Sequence, residues 1–216
     1  MDVKEASFEL HKLFNRLKRY SYPFELNDIP KNGIYICFDK NECLKGEKLN
    51  RVVRVGTHRT DGKLKRRIEK HFIKKRQRDS VFRNHIGQCL LNMEEKTYLK
   101  YWNLPFKKKE DKEKYWSMVD LEFEKKYENK ITNYLKEYLS FVVIKDISIY
   151  KERRNFESAL IATIAQDTIS VPSPDWLGKK HPDCRINLGK LWNIHFLNGL
   201  TITEEQLQKI ELCIND

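Results

Sequence analysis

An α+β domain is the fold class this sequence predicts, on three observations. Two short segments with period-two alternation lie close together, over 33–38 and 51–57, and a third apolar run, LSFVVI, follows over 139–144. Helix-spaced apolar stripes stand before, between and after these strands, so the sheet has helices to cover it. At 216 residues the chain fits one elaborated domain better than two independent ones.

The first element is a helix over 8–20, with Leu10, Leu13, Phe14 and Leu17 on one face. A turn rich in Pro and Asn occupies 22–32. GIYICF then places Ile34, Ile36 and Phe38 on one side of a strand and Tyr35 and Cys37 on the other, and RVVRVGT is its neighbour. The intervening DKNECLKGEKLN predicts a long hairpin loop. After Asp61 and Gly62, Leu64, Ile68 and Phe72 mark the buried stripe of a helix. A short helix follows over 81–93 with Phe82, Ile86, Cys89 and Leu90 inward; 94–117 has no clear period, and 121–138 reads as helix. The last major helix spans 151–169, where SALIATIA is apolar nearly all round and belongs deep in the core. Beyond it the chain is rich in loops, with Trp176 and Trp192 as packing anchors and Thr203 with Gln206 as the capping box of a final helix.

Forty-two Lys and Arg against 31 Asp and Glu leave a formal charge of +11, while 40% hydrophobic and 12% aromatic residues exclude a disordered basic tail. The excess is concentrated: between Lys63 and Arg78 stand nine Lys or Arg and one acid, Glu69. Its one-sided sign distinguishes this run from an ordinary polar helix face and predicts a phosphate-binding surface. The stretch 107–130 mixes both signs and reads as a solvated face. No apolar run reaches the roughly 20 residues of a spanning helix, and MDVKEASFELHKLF lacks the pattern of a signal peptide. The five cysteines are scattered, without a metal-ligand spacing, and predict free thiols in a reducing, cytoplasmic setting.

The triplets Gly33-Ile34-Tyr35 and Arg54-Val55-Gly56, followed by Leu64-x-x-Arg67-Ile68-x-x-His71 and a late Glu157, resemble the GIY-YIG nuclease superfamily. The resemblance covers about residues 31–169. It implies a nuclease core there, built on a small three-stranded antiparallel sheet flanked by helices, with a helical insertion at about 79–138. An N-terminal helical extension (1–30) and a loop-rich C-terminal extension with a terminal helix (170–216) complete the expected organisation.

The resemblance also implies a divalent-metal-dependent DNA endonuclease. Tyr35 would activate or position the attacking water, Arg67 would stabilise the scissile phosphate, and Glu157 would bind Mg²⁺ or Mn²⁺. His71 stands at a frequent family position. Hydrolysis of a phosphodiester needs these functions, and an always-charged planar guanidinium and an oxygen ligand suit two of them. One departure stands out: Arg54 occupies the place of the family's second Tyr, and a guanidinium cannot do a phenol's proton chemistry. Period-two alternation puts Arg54, Gly56 and His58 on one side. With the strands in the family's register, Tyr35, Arg54 and His58 converge, Arg54 favours the Tyr35 phenolate, His58 is an alternative base, and Gly56 leaves room for a phosphate.

The expected nucleic-acid contacts are Lys63, Lys65, Arg66, Lys70, Lys74 and Lys75 on the basic run, Arg83 and His85 in SVFRNHIG, and Asn193 in LWN, which a late family Asn places near the metal. DNA is the expected partner, with RNA left open, and a homodimer fits an enzyme that cuts both strands. Two other readings compete: an impaired member acting as a nucleic-acid-binding module, and a basic interaction domain without nuclease chemistry.

Overall fold

The computed structural model describes residues 1–106, 108–145 and 147–215. Along the chain run α1 (Val3–Arg16), β1 (Tyr20–Ser21), β2 (Ile34–Cys43), β3 (Asn50–Gly56), α2 (Leu64–Phe72), α3 (Val81–Glu94), α4 (Leu99–Trp102), α5 (Lys109–Tyr115), α6 (Leu121–Tyr138), β4 (Leu139–Ile144), α7 (Tyr150–Gln166), α8 (Cys184–Asn187) and α9 (Glu204–Asn215). The sheet has the order β1-β4-β2-β3, and each neighbouring pair is antiparallel.

The alternation in β2 explains its central place. Tyr35 and Cys37 enter one apolar layer with Leu64, Ile68 and Phe72 of α2, Phe82 and Ile86 of α3, and Ile131 and Leu135 of α6. Ile34, Ile36 and Phe38 enter a second layer, against Leu10 and Phe14 of α1, Leu160, Ile161 and Ile164 of α7, and Ile210 of α9. A strand that is apolar on both faces needs cover on both, and the helices provide it. Gly33, at φ +152°, begins this strand where a Cβ would lie 2.5 Å from the Ile144 carbonyl oxygen, so only glycine fits.

Three expectations change. The sheet gains a fourth strand, β1, whose two residues are too few for a period to show; Tyr20 is paired with Phe141 and stacks on it at 5.2 Å. The expected hairpin loop is shorter because β2 runs on to Cys43. Its polar Asp39 and Glu42 are buried with partners: the Tyr134 hydroxyl donates to Asp39 at 2.7 Å, and Arg51 pairs with Glu42 at 2.6 Å. Charged residues satisfied inside the fold hide a strand from a hydropathy pattern. In α3, Leu91 rather than Leu90 takes the fully buried place, and the core side of the helix also carries Arg83 and His85.

The C-terminal segment packs into the first layer. The rings of Trp176 and Trp192 lie 5.3 Å apart, and Trp192 meets Phe82 at 6.1 Å. Thr203 and Gln206 form the reciprocal capping pair before α9: the Thr203 amide donates to Gln206 Oε1 at 3.1 Å, and the Gln206 amide to Thr203 Oγ1 at 3.2 Å. Among the described residues no cysteine is joined in a disulfide. Among the described residues no helix is long and apolar enough to cross a membrane.

Candidate active site

Where β3 ends, the chain turns through Thr57–Lys63 into α2, and this loop, α2 and α7 line an open cavity of about 410 Å³. Gly62, at φ +74°, makes the turn, and its amide donates to Asn32 Oδ1 at 2.6 Å. Arg153 of α7, fully buried, reaches Asp61 of the loop at 2.5 Å and thereby fixes α7 against the approach to α2. The walls are Thr57, His58, Arg59 and Thr60 from the loop; Lys63, Arg66, Arg67 and Lys70 from the α2 segment; and Tyr150, Arg154 and Glu157 from α7.

Glu157 brings the cavity's one carboxylate among the lining residues. It lies in the second turn of α7, beyond the first-turn amides, so the helix dipole is not its main partner. Its Oε1 accepts the Thr57 amide at 3.1 Å, and its Oε2 accepts Arg154 Nη1 at 2.5 Å. The Thr57 hydroxyl in turn donates to the Gly33 carbonyl at 2.9 Å, so the strand that opens the first triplet holds the residue that orients the acid.

Arg67 and His71 occur one turn apart on α2, yet they face different surroundings. Arg67 lines the cavity, and its buried Nε lacks a protein partner. His71 is fully buried beneath it: Nε2 lies 3.0 Å from the Tyr35 hydroxyl and Nδ1 lies 2.7 Å from Ser80 Oγ. Burial first, and then the charges of Arg67, Arg54 and Arg83, push the His71 pKa well below 6.5. The neutral ring therefore donates through one nitrogen and accepts through the other, joining Tyr35, His71 and Ser80 in a relay.

Tyr35 is fully buried and is not among the cavity-lining residues. Gly56 faces it: a Cβ there would stand 2.2 Å from the phenol oxygen. The small residue of the second triplet makes room for the tyrosine ring, which corrects the expectation that it admits a phosphate.

His58 does line the cavity, with Nδ1 2.8 Å from the Thr60 carbonyl and Nε2 3.4 Å from the Gly33 amide. A carbonyl can only accept, so Nδ1 carries the proton, and the Nε2 lone pair accepts the Gly33 amide. Burial lowers the His58 pKa below 6.5 against the opposing effect of the Thr60 carbonyl, and the positive charges of Arg153 and Arg67 lower it further. A neutral imidazole of fixed tautomer is thus held at the cavity wall.

Arg54 is displaced from this group. It pairs with Cys37 rather than Tyr35 in the ladder, donates to the Trp192 carbonyl at 2.9 Å, and lies 4.6 Å above the Phe82 ring. The Tyr35 hydroxyl has His71 as its partner instead, so the expected convergence of Tyr35, Arg54 and His58 is replaced by a Tyr35–His71 pair below the cavity and His58 on its wall.

Of the basic residues, Lys63, Arg66 and Lys70 line the cavity. Lys65 donates to the Asn27 carbonyl, Lys74 pairs with Glu69, and Lys75 donates to Asn129, all facing away from the cavity walls. Arg83 is fully buried on Glu128 at 2.5 Å, with further bonds to Thr132 and the His71 carbonyl, and so is no substrate contact. His85 is buried against His181 at 3.0 Å. Asn193 spends its amide on β3, accepting from the Val55 amide at 3.1 Å and donating to the Val55 carbonyl at 2.9 Å, which removes it from the acid site. The structure does not bring these three side chains to the cavity, because burial and partner choice are not written in a local motif. Arg154, Tyr150, Arg59 and Thr60 are cavity residues the sequence reading did not select; the spacing of Arg154 three residues before Glu157 was the available signal.

A GIY-YIG domain model matches residues 7–216, nearly the whole chain, and with the sheet and cavity described above it places the protein in the GIY-YIG nuclease superfamily. Comparison with curated proteins and with solved structures gives no match.

Among the described residues, no group of three or more His, Cys, Asp or Glu side chains is gathered as a metal cluster. The Glu157 carboxylate at the cavity nonetheless fits Mg²⁺ or Mn²⁺, since such hard ions take oxygen and Mg²⁺ commonly keeps several waters beside one or two carboxylates.

Proposed function

We propose that the protein is a divalent-metal-dependent DNA endonuclease that hydrolyses phosphodiester bonds in this cavity. The observation that carries the reading is the meeting of Arg67, on α2, and Glu157, on α7, in one cavity whose rim is rich in cations. Mg²⁺ or Mn²⁺ held by Glu157 would supply Lewis acidity to the phosphoryl group. Arg67 holds the phosphate and the charge that grows on its oxygens, where its unpartnered Nε–H has an acceptor to gain. Lys63, Arg66 and Lys70 steer the backbone into the cavity. His58, at the cavity wall with its proton held on Nδ1 by the Thr60 carbonyl, takes the proton of the attacking water on Nε2 once the water replaces the long bond from the Gly33 amide there. Tyr35 and His71 act from below as a positioning pair. Residues 31–169 form the nuclease core in this reading, and the flanking segments extend it.

A second reading, a nucleic-acid-binding module with impaired chemistry, is favoured by the burial of Tyr35 and the diversion of Arg54 to Trp192. Plasmid nicking in Mg²⁺ separates the two. The endonuclease reading expects the native protein to cut, Arg67→Ala and Glu157→Ala to lose cutting by about 10²-fold or more, and DNA to remain bound. Binding without cutting by the native protein gives the second reading. His58→Gln and Tyr35→Phe then divide the base role: loss of the acid limb of the pH–rate profile in His58→Gln alone supports His58, and its loss in Tyr35→Phe alone returns the role to the phenol.

A further inference from the structure

The geometry points to a second function for α7: we infer that Arg154 is a resident counter-cation that occupies Oε2 of Glu157 and would have to give up that oxygen for a divalent ion to bind there. This rests on Glu157 being the metal ligand of the proposed nuclease. Both carboxylate oxygens are already engaged, one by the rigid Thr57 amide and the other by Arg154 Nη1. The backbone amide cannot leave without breaking the loop. Arg154 can: its side chain is 44% exposed, against 10% for Glu157, and it lines the same cavity.

In the pose that bonds Glu157 the guanidinium has a second contact, on an aromatic ring. Its central carbon lies 4.2 Å above the ring of Phe196, a contact that holds a cation without using a carboxylate. Phe196 itself has φ 64°, a conformation unfavourable for a bulky residue. In the metal-free protein, Arg154 neutralises an acid held among cations. Arg154 would have to yield Oε2 to a divalent ion, so the two cations would compete and the apparent metal affinity would be lower than Glu157 alone would give. Arg154 is therefore a positioning residue that sets the metal requirement of the site.

Mn²⁺ binding to the full chain without DNA, followed by the electron paramagnetic resonance of free Mn²⁺, tests this without reading activity. Removing the competitor in Arg154→Gln should tighten Mn²⁺ binding about fivefold, the factor a partly exposed pair can withhold. Arg154→Lys keeps the charge and should stay near the native value, and Arg66→Gln, which removes a cavity cation that does not touch Glu157, should shift binding by much less. Unchanged binding in Arg154→Gln, or an equal shift in Arg66→Gln, overturns the inference while leaving Glu157 as ligand. Native Mn²⁺ binding that survives in Glu157→Gln, or no native binding, removes the metal role of Glu157 and the inference with it.

Discussion

Gly56 shows how narrowly single residues are constrained around the site. Its missing side chain is filled by the Tyr35 phenol, and an added Cβ would collide with the ring oxygen at 2.2 Å. Gly56→Ala should therefore destabilise the protein by about 1–3 kcal/mol through overpacking, read as a lower denaturant midpoint, and should displace the Tyr35–His71 bond. The same substitution with an unchanged midpoint contradicts the assigned role. The candidate site residues were legible to different degrees. Arg67 and Glu157 were selected by the resemblance that the two triplets carry, and the structure brings both to one cavity. The depth of Tyr35 could not be read, since a strand alternation names the face of a residue and not what covers it. Nor could the two oxygens of Glu157 be assigned, because the Thr57 partner is a backbone amide and no side-chain pattern marks it. For His58 the lowered pKa has a kinetic consequence. Its base form, neutral above the shifted value, dominates at neutral pH, so cutting should fall only as pH drops below 6.5, and that acid limb should vanish in His58→Gln.

At the scale of elements, the outer edge of β3 is covered by the chain segment at Trp192 and Asn193. The Trp192 amide donates to the Val53 carbonyl at 2.8 Å, Asn193 bonds both polar groups of Val55, and Arg54 returns a bond to the Trp192 carbonyl. An exposed edge strand invites pairing with other chains, and this strap closes it. Asn193→Ala should cost about 1–3 kcal/mol by leaving the Val55 groups unpaired, with faster amide exchange at Val55; exchange as slow as in the native protein contradicts the strap. The basic α2 divides in the same way. Lys63 faces the cavity, while Lys65 is bound to the Asn27 carbonyl. Lys63→Ala should reduce the salt slope of DNA binding by about 0.9, and Lys65→Ala should leave it nearly unchanged, as measured by titration at several salt concentrations. Equal effects contradict this division. The major helices were legible because their apolar stripes are long. The sense of the charge run was legible too, but its split into a cavity side and a bonded side depends on α6 and the turn before β2, which no window around residue 65 contains.

For the whole molecule, the sheet lies between two helical layers, and burial at that scale governs how stability depends on pH. His11 and His181 are pushed down to about 4, His85 to about 3 and His71 well below 6.5, in each case chiefly by burial. Their folded pKa values lie below the unfolded one, so below pH 6.5 the unfolded chain takes up protons that the native state refuses. Stability is retained above 6.5 and lost progressively as pH falls toward the folded values. The Tm should hold steady above neutrality and drop across that window; a Tm independent of pH from 7 to about 4 contradicts the buried neutral histidines. The α+β class and the alternation of layers were visible in apolar periodicity. The position of the C-terminal segment inside the first layer was not, because it follows from long-range aromatic packing of Trp176 and Trp192 against Phe82.

All three scales serve one claim, that α2 and α7 bring a guanidinium and a carboxylate to a single cation-lined cavity, where we propose metal-assisted hydrolysis. Incubating the purified chain with supercoiled plasmid, with and without Mg²⁺ or Mn²⁺, tests it most directly. The account predicts nicked or linear product that requires the metal and disappears in Glu157→Gln. Plasmid left intact at every metal concentration, or cutting undiminished in Glu157→Gln, contradicts it.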